Sequence, residues 1–202
     1  MSQTAPPSDT PLDFPRADGA LLRRFEKLPA TTVSDAMERL GVIDSQICPV
    51  WSKAAVVGSA FTVLTRPGDN LYIHKALEQV RPGDVLVVNG LGDEKRALIG
   101  SLVAAKAKSL GVAGFVIDGA VRDREGLEEL GMPVFARAVT PAGPYKNGPG
   151  RLNVAIAIGG QVVMPGDIVV ADADGVVIVP LAEAGAVVVD AEAKLAQELA
   201  GG

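Results

Sequence analysis

The stretch "VAGFVIDGAVRDREGLEELGMPVFARAV" (residues 112–139) decides how this chain is read. Its opening apolar run, "VAGFVI", has the length and β-branched content of a buried strand. A turn carrying Gly119, Arg122 and Asp123 follows. "REGLEELG" then returns apolar residues at helical spacing, and "MPVFARAV" is a second strand. Just upstream, "VLVVNG" (85–90) reads as a short strand and "DEKRALIGSLVAAKAKSLG" (93–111) as the best helix in the middle of the chain, its start left open because Gly100 and Ser101 interrupt the pattern. Strand, helix, strand, helix, strand is the order of parallel crossovers, which predicts an α/β fold.

Outward from that core, "KAAVVGSAFTVLTR" (53–66) reads as a strand, or a bent strand pair broken at Gly58. "LYIHKALEQV" (71–80) returns to helical spacing, with Asn70 as its expected N-cap. Two N-terminal helices are predicted in "DGALLRRFEKL" (18–28) and "TTVSDAMERLG" (31–41). "TPAGPYKNGPGR" (140–151) is a loop. "LNVAIAIGGQVVMPGDIVVADADGVVIVP" (152–180) reads as three strands joined by Gly turns, an antiparallel portion, and "LAEAGAVVVDAEAKLAQELA" (181–200) as a terminal helix. The triplet "PGD" recurs at 67–69, 82–84 and 165–167, which we read as repeated turn chemistry. Residues 1–17, rich in Pro, Ser and Thr, are expected to form a loose arm, and residues 18–202 one domain.

Composition narrows the function classes. With 202 residues the chain can bury a sizeable core, and 48% of it is hydrophobic. A net charge of −5 argues against a broad nucleic-acid surface. A single cysteine, Cys48, rules out an intrachain disulfide framework and suits a cytoplasmic setting. Its surroundings suggest a packed thiol. No run reaches the length of a membrane span, and no basic start precedes an apolar stretch, so neither membrane nor secretory leader is expected. The only histidine, His74, excludes a multi-His zinc site and a Ser-His nucleophile mechanism.

Ligands of sheets with helical crossovers bind beyond the carboxyl ends of strands. Three polar turns would gather there: "RPGDN", "NGLGDEKRALIGS" and "DGAVRD". Asp123 can hold a hard divalent cation such as Mg²⁺, which uses one or two carboxylates and keeps several waters. Arg122 can grip a carboxylate or steady a developing oxyanion. Adjacent residues point apart, so one would grip metal and the other substrate. Amides near Ser101, Leu102 and Val103, at a possible helix start, can accept a carboxylate. Together these would bind a 2-keto acid and stabilise its enolate. The plainer readings stand beside this one. Arg122 and Asp123 form a solvated pair, or Asp123 caps the helix it precedes. Asp93 and Glu94 would supply outer hydrogen bonds, or belong to a solvated loop.

The block from Pro67 to Pro144, and above all "GVAGFVIDGAVRD", resembles the RraA-like family, with a likeness running from about Thr31 to Pro180. That family includes class II 4-hydroxy-4-methyl-2-oxoglutarate/4-carboxy-4-hydroxy-2-oxoadipate aldolases and the ribonuclease E regulator RraA. The resemblance implies a swivelling β/β/α domain with a central mixed sheet, N-terminal helices and a C-terminal helix. It implies homotrimers or homohexamers, with Mg²⁺ or Mn²⁺ and a pyruvate-like ligand at a subunit interface. It makes Arg122 the contact to the pyruvyl group and Asp123 the direct metal ligand. Leu102 and Val103, following Gly100 and Ser101, become the amides that hold the carboxylate. No role follows for Glu125, Glu128, Glu192 or Glu198.

One position departs from the pattern. The aldolases carry an Asp separated by twenty residues from the Arg-Asp pair, where this chain has Ser101. Serine is neutral and a poorer base, and RraA-type members also lack that Asp. The expected activity is therefore a metal-dependent carbon–carbon lyase on a small 2-keto dicarboxylate. Oxaloacetate decarboxylation is favoured, and retro-aldol release of pyruvate is its close relative. The alternatives are an oligomeric regulator of a ribonuclease, or a related lyase or hydratase on a sugar acid.

Overall fold

A computed structural model describes residues 13–201. Four strands form the centre of the sheet: β2 (Val56–Thr65), β3 (Asp84–Ala97), β4 (Gly114–Val121) and β5 (Val134–Val139). They pair in parallel in the order β5-β4-β3-β2. The crossovers carry α3 (Leu71–Ala76), α4 (Ser101–Ser109) and α5 (Arg124–Glu129). At one edge, β1 (Cys48–Pro49) pairs antiparallel with β5. At the other, β9 (Ile168–Asp172) runs antiparallel to β2 and forms a hairpin with β10 (Gly175–Val179). The far half of β2 pairs instead with β6 (Gly150–Leu152), and β7 (Ile156–Ile158) and β8 (Gln161–Val163) form a separate hairpin. The 152–180 region thus holds four short strands, preceded by β6, and not three. The fold is mixed α/β, with α1 (Gly19–Phe25), α2 (Ala30–Ala36) and the C-terminal α6 (Ala184–Gly201) around the β9–β10 end.

Alternation along the strands explains the three-part core, since successive side chains leave a sheet on opposite faces. Leu86, Val88, Phe115 and Ile117 pack under α3, α4 and α5, while Val85, Val87 and Val116 face the opposite side with Ile156 and Val163. In β9 and β10, Val169 and Ile178 join that second cluster, and Ile168, Val170 and Val177 meet Phe25, Val33 and Val188 of the helices. Strands buried on both faces read as near-continuous apolar runs.

Three expectations need correction, and of the two readings of 53–66 the single strand holds. The segment Asp93–Ala97 is not the start of a helix but the end of β3. Asp93 and Ala97 pair with Gly119 and Ala120 across two register shifts. The Leu98 N–H donates to Ala120 O at 2.8 Å and the Ala97 N–H to Ala142 O at 2.8 Å, so tertiary pairing overrides the local spacing. The strand β2 is unbroken at Gly58. Glycine is required there because a Cβ would strike the Gly83 carbonyl and come within 2.8 Å of the Val85 side chain. Cys48 is exposed rather than packed, because it sits on the two-residue edge strand. Within the expected loose arm, residues 13–17 pack on the domain: Arg16 donates to both carboxylate oxygens of Asp84, at 2.7 and 3.0 Å, and Phe14 meets Phe61 edge-on. Residues 1–12 of that arm lie outside the described residues.

The three "PGD" triplets share more than a turn. Each glycine has positive φ, and each aspartate is buried: Asp69, Asp84 and Asp167. Asp84 and Asp167 each accept from the backbone N–H three residues earlier, Arg81 and Met164, both at 2.8 Å. These acids hold the turns closed.

Candidate active site

A cavity of about 220 Å³ opens at the carboxyl ends of β3 and β4. Three segments build it. The first turn of α3 supplies Asn70 and His74, the run into α4 supplies Ala97–Gly100, Leu102 and Val103 together with Lys106, and the turn after β4 supplies Arg122; Pro144 and Lys146 close it from the 140–151 loop. Gly100, Leu102, Val103 and Arg122 from the predicted set therefore line one cavity. Ser101 and Asp123 do not line it but stand at its rim, bonded to each other. Asp93 and Glu94 do not line it either.

Asp123 sits in the left-handed region (φ 58°, ψ 45°). This breaks the alternation expected of neighbours. The Arg122 Nε lies 3.8 Å from Asp123 Oδ2, so both side chains turn to the same side. Nor does Asp123 cap its own helix α5. Its Oδ2 accepts from the Ser101 N–H at 3.0 Å and the Ser101 hydroxyl at 3.2 Å, holding the start of α4 instead. Asp123 thus ties the two halves of the predicted site together. Gly100 is needed at the junction, because a Cβ would collide with Asp123 Oδ2 and lie 2.8 Å from Arg122 Cγ. The first bond of the α4 ladder runs from Ala104 N to Gly100 O at 3.1 Å. The Leu102 and Val103 N–H groups precede that ladder, so the helix itself gives them no acceptor.

The opposite wall rests on Asp69, whose side chain is 0% exposed. Its Oδ1 accepts from Leu71 N at 2.9 Å, so Asp69 rather than Asn70 serves the start of α3. Its Oδ2 accepts from Asn147 N at 2.9 Å and Gly148 N at 3.0 Å, which fastens the loop bearing Lys146. Burial works to raise the Asp69 pKa, but the three N–H groups and Arg66 outweigh it and hold the carboxyl below the usual range. Asn70, 3% exposed, donates its Nδ2 to Leu98 O at 3.0 Å.

The lining is cationic. Lys106, Arg122 and Lys146 converge on it. Burial, and then Lys146 and Lys106, lower the pKa of His74, which favours a neutral imidazole. Sequence reasoning did not single out either lysine. Lys106 lies one helical turn beyond Leu102, a spacing that places both on one face and was legible; Lys146 is brought in by a loop, and only the fold reveals it.

The donor set suits a hydrated hard cation rather than a cage. Among the described residues no three of His, Cys, Asp and Glu gather as ligands. All bonds recorded for Asp123 fall on Oδ2, so Oδ1 keeps its lone pairs for a single inner contact, the mode in which Mg²⁺ retains its waters. Glu192 is engaged elsewhere, in a two-point contact from Arg24 at 2.8 and 2.7 Å. Among the described residues no helix is long and apolar enough to cross a membrane.

Comparison with known proteins agrees with this architecture. A family model described as RraA-like, Aldolase/RraA, matches residues 30–178. A protein of Halalkalibacterium halodurans named "Putative 4-hydroxy-4-methyl-2-oxoglutarate aldolase" is 43% identical over 165 residues, covering 82% of this chain and 79% of its own. The 4-hydroxy-4-methyl-2-oxoglutarate aldolase of Thermus thermophilus is 40% identical over 112 residues, 55% of this chain and 68% of that protein. Among solved structures, Streptomyces coelicolor RraAS2, an unusual member of the RNase ES inhibitor RraA protein family, superposes with a TM-score of 0.83 at 32% identity, covering 93% of this chain and 98% of that one. The RNA-processing inhibitor RraA from Thermus thermophilis gives a TM-score of 0.69 at 34% identity, over 75% and 92% of the two chains. This chain belongs to the RraA-like family.

Proposed function

We propose that the protein is a divalent-metal-dependent carbon–carbon lyase that acts on a small 2-keto dicarboxylate and releases pyruvate. The observation that carries this reading is the convergence on one small cavity of Arg122, two lysines and the amides at the start of α4, with Asp123 at the rim. The Leu102 and Val103 amides bind the carboxylate next to the keto group. Arg122 donates to the keto oxygen and stabilises the negative charge that develops there as the bond breaks. Lys106 and Lys146 attract the distal carboxylate. Asp123 would hold Mg²⁺ or Mn²⁺, which supplies Lewis-acid stabilisation of the enolate. Oxaloacetate decarboxylation and retro-aldol cleavage share this electron sink. Decarboxylation asks less of the protein, because departure of CO₂ generates the enolate without a base. The site lies near Leu102, which is 81% exposed, and this supports a trimer or hexamer in which a neighbouring copy covers the rim.

Purified protein should form pyruvate from oxaloacetate in the presence of Mg²⁺ or Mn²⁺ and stop on chelation. Unaltered turnover in Arg122→Ala or Asp123→Ala would remove the proposed site. A second reading, a regulator docking on a ribonuclease, draws support from the RraA structural neighbours and from Ser101 in place of an acid. A stable ribonuclease complex together with no turnover of any keto acid would favour it.

A further inference from the structure

The triplet "PGD" occurs three times, and the aspartate of the first behaves unlike the other two. Asp84 and Asp167 each accept, through Oδ2, from the backbone N–H three residues earlier, and so close their own turns. At the first triplet the N–H in that position belongs to Arg66, and it donates to Pro149 O at 3.2 Å instead. Asp69 Oδ2 is thereby released to the 140–151 loop, where it accepts from Asn147 N at 2.9 Å and Gly148 N at 3.0 Å. The same turn grips the loop at further points. Tyr145 N donates to Gly68 O at 2.8 Å, and Asn70 N donates to Tyr145 O at 3.0 Å. The Arg66 guanidinium donates to Asn147 Oδ1. Residues on both sides of Lys146 are thus tied to the turn 66–70.

Lys146 itself lines the cavity. Its charge reaches His74, another lining residue: after burial, Lys146 and then Lys106 lower the imidazole pKa. The two lysines are held in different ways. Lys106 is carried by the helix α4, whereas Lys146 stands on a loop and has its place only through its neighbours. A lysine on an untied loop must give up backbone and side-chain freedom each time it meets an anion; backbone bonds made beforehand remove most of that cost.

We infer that Asp69 is a positioning residue: diverted from its own turn, it fixes the place of Lys146 in the cavity. What Lys146 grips there, a distal carboxylate, rests on the lyase reading above; that Asp69 places it does not. Asp69 touches no ligand. Its side chain is 0% exposed and does not line the cavity, so it acts only through the loop. Asp69→Ala leaves Leu71 N, Asn147 N and Gly148 N without their acceptor, and two of these belong to the loop just beyond Lys146. The lysine then loses its fixed place while keeping its charge.

The test follows native protein, Asp69→Ala, Lys146→Ala and the double variant by two readouts. The first needs no turnover. His74 is the chain's only histidine, so one imidazole NMR signal reports, through its titration, how near the lysine charges stand. Lys106 and Arg122, the other cations of the cavity, are common to all four proteins. Lys146→Ala should raise the imidazole pKa. Asp69→Ala should raise it too, but not once Lys146 is gone. Removing the Asp69 charge by itself would lower it, so a rise reports a cation in retreat. The second readout is oxaloacetate decarboxylation with Mg²⁺. Asp69→Ala should raise KM about 10-fold, the weight of one charged contact, with kcat changed less than about threefold. In the Lys146→Ala background it should add less than about twofold. Asp167→Ala removes an aspartate of the same motif that does not line the cavity; it should lose comparable stability with KM unchanged. Equal effects of Asp69→Ala in both backgrounds, a fall in kcat in place of the KM rise, or the same KM rise in Asp167→Ala would each overturn the inference, since each is what general loosening gives. Should Asp69→Ala not fold, Arg66→Ala, which cuts the side-chain tie to Asn147, decides by the same non-additivity with Lys146→Ala. Turnover with an unmoved imidazole overturns the inference alone. An imidazole that moves as expected in protein inert to oxaloacetate, with metal bound, upholds the placement of Lys146 and overturns the lyase reading.

Discussion

Asp69 and Asp123 both stand just before a short helix at the end of a sheet strand, and they do opposite work. Asp69 is fully buried, and its two oxygens are saturated by three backbone N–H groups. Asp123 is 42% exposed, strained into the left-handed region, and among the described residues bonded through one oxygen. A saturated, buried carboxylate has nothing left to offer a ligand, whereas one with a spare oxygen at a cavity rim does. Strain is tolerated at Asp123 because the side chain holds the α4 start in register with Arg122, a pattern expected at functional positions. The same contrast separates the other two "PGD" aspartates, Asp84 and Asp167, from the site.

The largest expected effect tests the structural side of this contrast. Asp69→Ala should destabilise the protein by about 3 kcal/mol in denaturant unfolding, since it strands three N–H donors around a buried hole. Asp123→Ala should reverse the pattern. It should lower pyruvate formation about 1000-fold while leaving the unfolding midpoint in place, and a midpoint loss comparable to that of Asp69→Ala would erase the distinction.

Gly100→Ala sharpens the comparison. The new methyl meets side chains rather than backbone, the end of Asp123 but Cγ of Arg122, so both site residues must shift. Activity should fall about 100-fold, and a crystal structure should show the Asp123–Ser101 bonds lengthened.

The smallest effect concerns pH. The folded state lowers the pKa of His74, so the unfolded chain binds the proton more readily. Above the unfolded value, about 6.5, this contributes nothing. As pH falls below it, stability should decline, and His74→Gln should flatten that decline. Asp69 acts in a lower window. Its depressed pKa stabilises the fold above the unfolded carboxyl value, and that contribution is lost as pH falls through the folded one. The difference between the urea midpoints of native protein and His74→Gln, followed from pH 7 to 5, reports the histidine; burial also raises the Asp167 carboxyl, so the native curve alone does not.

Much of the parallel core was legible because it rests on local signals. Apolar runs of strand length, separated by a helical segment and punctuated by Gly and Pro, leave few arrangements. The placement of Arg122 and Asp123 at the carboxyl end of β4 followed from that order alone. The helix read into Asp93–Ala97 failed because its charges mimic helical spacing while β4 claims the backbone. Asn70 was placed correctly before α3, yet its side chain goes to Leu98, and Asp69 serves the helix start.

By itself the sequence determined which residues could do chemistry: one Arg-Asp pair after a buried strand, one histidine, and Ser101 where an acid was expected. The tertiary structure alone decided that Asp123 turns back to Ser101, that Lys106 and Lys146 line the same cavity, and that Asn70 and His74 line it too. The reason is physical. Residue type and short-range spacing set what a side chain can donate or accept, but which groups meet, and which are left unsatisfied, depends on contacts between segments far apart in the chain.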